Sequence, residues 1–306
     1  MNRKKLRANL LLLLTAMIWG AAFVAQSVGM DYIGPYTFLC SRSILGGVML
    51  LPVIAFRRRK EKSGEDAPAG GGKALLMGGL ACGVVLFIAS ALQQFGIQET
   101  TAGKAGFITA MYMVLVPLAG LFLGKKIAGK VWGAVAVALV GMYLLCFAGG
   151  KVGAINRGDL MEMACAVGFT AHILVIDRYS GKVDGVKMSC IQFFVCGILA
   201  GVGMFLFESP SWKDLLEAWM PVVYAGVLSS GVGYTLQIVA QKDTEPTVAS
   251  LLMSLESVFS LVFGWILLHE VMSARELIGC VLMFAAIIWV QLPGRKERAH
   301  EGDRGA

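Results

Sequence analysis

The sequence predicts an all-α integral membrane protein: ten transmembrane helices arranged as two inverted five-helix repeats, with both termini cytoplasmic. Three observations predict it. Of 306 residues, 57% are hydrophobic and only 15% charged, whereas a soluble domain carries roughly 25% charged residues. The apolar residues are gathered into ten runs, each near the length of about 20 residues that a spanning helix needs. The two halves of the chain also repeat the same small and polar residues at matched spacings.

The first run covers residues 8–28 and follows a basic start with Arg3, Lys4, Lys5 and Arg7. It exceeds the roughly 7–15 residues of a signal-peptide core, so a retained first helix is expected. The second run, 35–56, opens on Pro35 and carries Arg42. The third, 73–96, carries Gln93. The fourth, 104–123, holds Tyr112 and Pro117, with Lys104 read as an interfacial residue at its start. The fifth, 131–147, presents Gly133, Val137 and Gly141 four apart, a small-residue surface for close helix contact. That surface suits packing within one chain or a homodimer contact, and packing within the chain is preferred. The sixth run, 159–179, holds His172, and the seventh is 186–207. The eighth, 219–241, carries Gln237; the ninth, 246–268, carries Glu256; the tenth is 274–292. Lipid offers no partner to an open backbone group, so each run is expected to be helical.

The connection 57–73 starts basic, then turns Gly-rich with Pro68, and is expected to be a flexible cytoplasmic loop. The polar tail 293–306 is expected to be disordered and cytoplasmic. The repeats would then occupy 8–147 and 159–292.

The net charge of +7 does not indicate nucleic acid, because the basic residues sit in short clusters between the apolar runs. With a cytoplasmic N-terminus, 21 of the 27 Lys and Arg residues fall on the inner side. Only Lys104, Lys151, Arg157, Lys213 and Arg275 fall outside, and Arg42 lies within a helix. This bias sets the orientation. The seven cysteines all lie within apolar runs and form no CxxC pair. They read as small buried hydrophobes, not as disulfides or metal ligands.

The repeat is visible residue by residue. Ala91-Leu92-Gln93 matches Thr235-Leu236-Gln237, and in the same register Thr100 meets Thr244, Ala105 meets Ala249 and Gly120 meets Gly264. Cys40 and Gly47 match Cys190 and Gly197. An odd number of helices per repeat turns the second copy upside down. In transporters built this way, substrate sites lie near the midplane between the repeats.

Trp19-Gly20-Ala21-Ala22-Phe23, Pro35 with Arg42, Pro117, Gly158-Asp159, Leu255-Glu256 and the run from Gly264-Trp265 to Glu270 and Gly279 resemble the EamA family of the drug/metabolite transporter superfamily. The resemblance spans about residues 10–290. The chain departs from the family pattern at Ser257, where proline is usual, and at Lys125-Lys126, where glutamate is frequent. The resemblance implies a permease that exports amino acids, other metabolites or drugs, driven by protons or by exchange.

Ionisable groups inside a membrane cost about 2.5–3.5 kcal/mol on insertion scales, so those present are candidate sites. Glu256 is the leading candidate for a proton or cation site, its alternative being a structural carboxylate. Arg42 could hold a substrate carboxylate, but a gating or structural charge is preferred. His172 is either a proton relay or an interhelical hydrogen-bond partner. Gln93 and Gln237 could offer amides to a zwitterion or bond between helices. Trp19 and Tyr112 could wall the cavity, and Tyr112 occupies the repeat position equivalent to Glu256.

The expected function is therefore a secondary transporter, an exporter in a bacterial-type plasma membrane, with small-molecule substrates, lipid and protons as its partners. No cofactor is expected. A membrane-embedded enzyme would need a nucleophile with its base, paired acids or a metal cluster, and no such motif is present. A P-loop is also absent. A non-transporting scaffold has no use for an inverted repeat with a central glutamate.

Overall fold

The computed structural model describes residues 3–61, 71–100, 102–146, 156–268 and 273–291, and no strand occurs among them. Most of the expected loop 57–73 and all of the tail 293–306 lie outside the described residues, as do Lys151 and Glu270. The side chain of Lys104 is also outside them.

The helices are α1 (Arg3–Met30), α2 (Pro35–Glu61), α3 (Gly72–Glu99), α4 (Ala102–Thr109), α5 (Tyr112–Phe122), α6 (Gly129–Cys146), α7 (Arg157–Ser180), α8 (Gly185–Phe207), α9 (Trp212–Glu217), α10 (Trp219–Val223), α11 (Thr235–Gln241), α12 (Pro246–Met253), α13 (Glu256–Leu268) and α14 (Ala274–Gln291). A π-helical segment, Tyr224–Tyr234, joins α10 to α11. Among the described residues, eight stretches are long and apolar enough to cross a membrane. Two shorter apolar helices, Gly129–Leu144 and Leu277–Val290, lie against each other within α6 and α14.

Local chemistry explains several helix starts. Pro35 and Pro246 occupy the first helical position of α2 and α12, where a missing N–H costs nothing. Asn156 and Asp159 form a reciprocal capping box on α7. Asp184 accepts from the Val186 and Lys187 amides to cap α8. Leu10, Leu76, Ile198, Val202, Val281 and Ile288 face outward, as a lipid-facing surface requires.

Three of the apolar runs are not single α-helices. Between α4 and α5 the chain turns at Ala110 and Met111. Pro117 in α5 cannot donate to the carbonyl four residues back, which loosens the turn before it. Between α12 and α13 the chain turns at Ser254 and Leu255. Here Ser250, Ser254 and Ser257 each donate to the carbonyl three residues back, competing with the helical ladder. In the third, the wide π segment frees carbonyls that α1 captures. Trp19 Nε1 donates to Ser229 O at 3.3 Å, and Thr15 Oγ1 shares its hydrogen between Leu11 O at 3.0 Å and Gly233 O at 3.3 Å.

Helix α3 packs on α7 and α8, while the run from α10 to α11 packs on α1 and α2. Helix α2 crosses α8, and α1 packs along α12 and α13. Gly20 makes the α1–α13 contact possible: a Cβ there would sit 2.8 Å from the Phe259 carbonyl carbon and from the Ser260 nitrogen. The small-residue surface of α6 is filled within the chain. Gly133 lies under Trp289, and Gly141 lies against the Gly279 carbonyl of α14.

Candidate functional site

A narrow cavity of about 30 Å³ lies where α1, α2, α3, α7, the π segment and the two interrupted runs converge. That is room for about two waters, well below a ligand pocket, so this conformation is closed around the site. From α1 come Trp19, Ala22, Phe23 and Gln26, spaced three, four and seven apart and so on one helix face. The two chain breaks contribute Thr109, Tyr112 and Glu256. Arg42, Gln93, Phe169 and, from the π segment, Ser229 and Tyr234 complete the lining.

Three hydrogen-bonded groups organise this space. Tyr112 Oη donates to Glu256 Oε1 at 2.8 Å, joining the first residue of α5 to the first residue of α13. Both are buried, at 2% and 4% exposure. Arg42 Nη1 donates to Gln26 Oε1 at 2.9 Å. Its Nε has no partner, and among the described residues it forms no ion pair. Gln93 Nε2 donates to Thr109 Oγ1 at 3.3 Å, and Thr109 Oγ1 donates in turn to Glu162 Oε2 at 2.8 Å. Trp19 leans on Tyr234 with ring centroids 4.5 Å apart.

The arrangement thus places one cationic side chain and one carboxyl in a single small cavity, with aromatic rings between them. The first residues of two half-helices, α5 and α13, meet at the same place, and amides of their first turns are bonded to the turns before them, Met113 N to Ala110 O, Val114 N to Met111 O and Ser257 N to Ser254 O.

Trp19, Arg42, Gln93, Tyr112 and Glu256, all singled out from the sequence, meet in this cavity. His172 and Gln237 do not line it. His172 Nε2 lies 3.1 Å from Gln192 Oε1 on α8 and touches Tyr234 edge-on, one layer behind the cavity wall. Gln237 is buried on α11 with its Oε1 unpaired. Sequence reasoning missed Gln26, Thr109, Phe169, Tyr234 and Glu162. Gln26 carried a signal, since it stands seven residues after Trp19 in an apolar run. Glu162 carried the same signal as Glu256, a carboxyl within a spanning segment.

The EamA-like transporter family matches residues 6–147 and 156–292. An uncharacterized transporter of Archaeoglobus fulgidus is 28% identical over 94% of this chain and 87% of its own length. The S-adenosylmethionine/S-adenosylhomocysteine transporter of Chlamydia muridarum is 22% identical over 86% of this chain and 85% of its own. A probable terminal-alkyne amino-acid exporter of Streptantibioticus cattleyicolor is 25% identical over 96% of this chain and 97% of its own. A solved crystal structure superposes with a TM-score of 0.76 over 96% of this chain and 98% of that chain at 18% identity, which shows a shared fold. With matching segments in both halves and relatives named as transporters, the chain is a multi-pass membrane transporter and belongs to the EamA-like transporter family.

Proposed function

We propose that this protein is a secondary transporter that exports small zwitterionic metabolites, amino acids foremost, across the plasma membrane by alternating access. The observation that carries the reading is the hydrogen bond from Tyr112 to Glu256, two residues 144 positions apart. The same spacing relates the end of α4 at Thr109 to the end of α12 at Met253, and the start of α5 to the start of α13. The two interrupted runs are thus equivalent members of two repeats, and they meet at the cavity.

This pattern supports ten spans in two inverted five-helix units, 8–147 and 159–292, and the Lys and Arg bias supports cytoplasmic termini. It is the arrangement in which discontinuous helices form a midplane site and one bundle rocks against the other. The packing of α3 on α7 and α8, matched by that of the α10–α11 run on α1 and α2, supports the same pairing.

Within the cavity Arg42 is suited to a substrate carboxylate, since the guanidinium fork matches carboxylate geometry. This gives Arg42 a ligand role in preference to the gating or structural charge favoured by sequence alone. Glu256 and Tyr112 are suited to the substrate ammonium, Gln93 and Gln26 to its polar edges, and Trp19, Phe23 and Tyr234 to an apolar side chain. Two relatives, one named for S-adenosylmethionine and one for an amino acid, accord with a substrate bearing an amino-acid head.

The test is thermal stabilisation of the purified protein by a panel of amino acids, since a ligand that binds only the folded state raises its melting temperature. Neutral amino acids are expected to raise it in the parent and to lose the effect in Arg42→Met and Glu256→Gln. Equal stabilisation of parent and both variants would overturn the assignment.

A further inference from the structure

A second buried carboxyl stands beside the cavity and has no role in the substrate contacts described above. Glu162 on α7 is fully buried. Its Oε2 accepts from Thr109 Oγ1 at 2.8 Å, while its Oε1 has no partner. Gly96 of α3 closes over that free oxygen, and a Cβ at Gly96 would lie 2.6 Å from it. The groups facing Glu162 are neutral or acidic. On α7 itself they are Asp159 and the Cys165 thiol; from the two chain breaks, Thr109 and Glu256; from α3, the backbone at Gly96. Among the described side chains, no lysine, arginine or histidine bonds to it. A carboxylate buried without a cation costs several kcal/mol, so such a group is kept because its neutralisation is used.

Resting on the transporter reading, we propose that Glu162 carries the exchangeable proton that couples transport, while Glu256 serves the substrate, and that Thr109 relays the state of Glu162 to the cavity. The geometry supplies the relay. Thr109 is the last residue of α4, at the chain break, and its hydroxyl stands between Glu162 and the cavity amide of Gln93. With Glu162 ionised, Thr109 must donate to it, and the hydroxyl oxygen accepts from Gln93 Nε2. When a proton delivered as hydronium from the outer medium neutralises the carboxylate at Oε2, leaving water behind, the new O–H donates to Thr109 Oγ1. The Thr109 hydrogen is then free to turn toward Gln93, whose amide reverses and presents a different edge to the substrate. One proton taken up at Glu162 thereby changes a donor for an acceptor in the cavity.

The position of Glu162 also suits a proton from one side only. It stands five residues past Arg157, about 8 Å along the axis from the start of α7. Asp159 lies one turn nearer that end, where it accepts from Thr100 Oγ1 at 2.9 Å. In the proposed orientation this is the outer end, the acidic side of an energised membrane, as coupling of export to proton entry requires.

The experiment is infrared difference spectroscopy of the full-length protein in lipid without substrate, which reads the C=O stretch of a carboxyl as it gains a proton on acidification. Parent and Glu256→Gln are expected to share one such band, and Glu162→Gln to lack it. Thr109→Val, which leaves Glu162 in place, is expected to shift the band in frequency, and Thr109→Ser to restore it. Thr109→Val also answers the question if Glu162→Gln does not fold. A band that survives Glu162→Gln, disappears in Glu256→Gln or ignores Thr109→Val would overturn the proposal. Because no substrate is present, failure of the amino-acid assignment leaves this result intact, and failure here leaves the substrate assay intact.

Discussion

Replacing Tyr112 with phenylalanine removes one oxygen and keeps the ring that packs in the core. The lost group is the donor to Glu256 at 2.8 Å, and both partners are almost wholly buried, so water cannot take its place. A hydrogen bond to a charged group contributes about 1.5–3 kcal/mol, and a buried acceptor left without a partner costs a similar amount. If the bond is specific to the conformation described here, its loss shifts the balance between conformations by roughly 10- to 150-fold. Glu256→Gln retains an amide oxygen that can accept from Tyr112, so its effect should be smaller. The assay is a double-mutant cycle on melting temperature and on exchange rate in liposomes, using Tyr112→Phe, Glu256→Gln and both together. Because glutamine still accepts from Tyr112, the expected coupling energy is the difference between the two bonds, about 1 kcal/mol. Simple addition of the two single effects would refute the view that this bond joins the two interrupted runs.

Three further outcomes are expected. Arg42→Met should weaken binding of whichever amino acid most stabilises the parent by about 10- to 150-fold, the equivalent of about 1.5–3 kcal/mol for a charge-assisted bond. Gly20→Ala should destabilise by about 1–3 kcal/mol through overpacking, since its Cβ would press on the Phe259 and Ser260 backbone; thermal melting in detergent measures it. Lys125→Ala removes the 2.7 Å pair with Asp177, whose side chains are 43% and 30% exposed. It should therefore change stability by less than about 1 kcal/mol, and by less still in high salt.

The helices were legible because lipid leaves the backbone no alternative, so a long apolar run translates directly into a spanning segment. The relation of Tyr112 to Glu256 was legible as a spacing, and the structure adds that the two touch. The chain breaks were less visible: Pro117 and the serines at 250, 254 and 257 signal them only once their carbonyl partners are known. The π segment left no clear mark beyond its glycines, because an apolar run reads the same whatever its hydrogen-bond register. His172 and Gln237 show the main limit. A buried polar residue announces itself in sequence, but whether it faces a cavity or a neighbouring helix depends on rotations about the helix axis that periodicity leaves open when every face is apolar. Glu162 was missed for a different reason. The repeat and the family motifs drew attention to Glu256, although the same cost of burial applied to both.

The most direct test of the central claim is counterflow in liposomes loaded with an unlabelled neutral amino acid, following uptake of the same compound in labelled form beside its N-acetyl and its methyl-ester derivatives. Each derivative removes one charge of the zwitterion. Exchange of the free amino acid is expected, with weak exchange of either derivative and no exchange by Arg42→Met. Equal exchange of all three compounds, or exchange that survives Arg42→Met unchanged, would contradict a cavity built around Arg42 and Glu256 for a zwitterion.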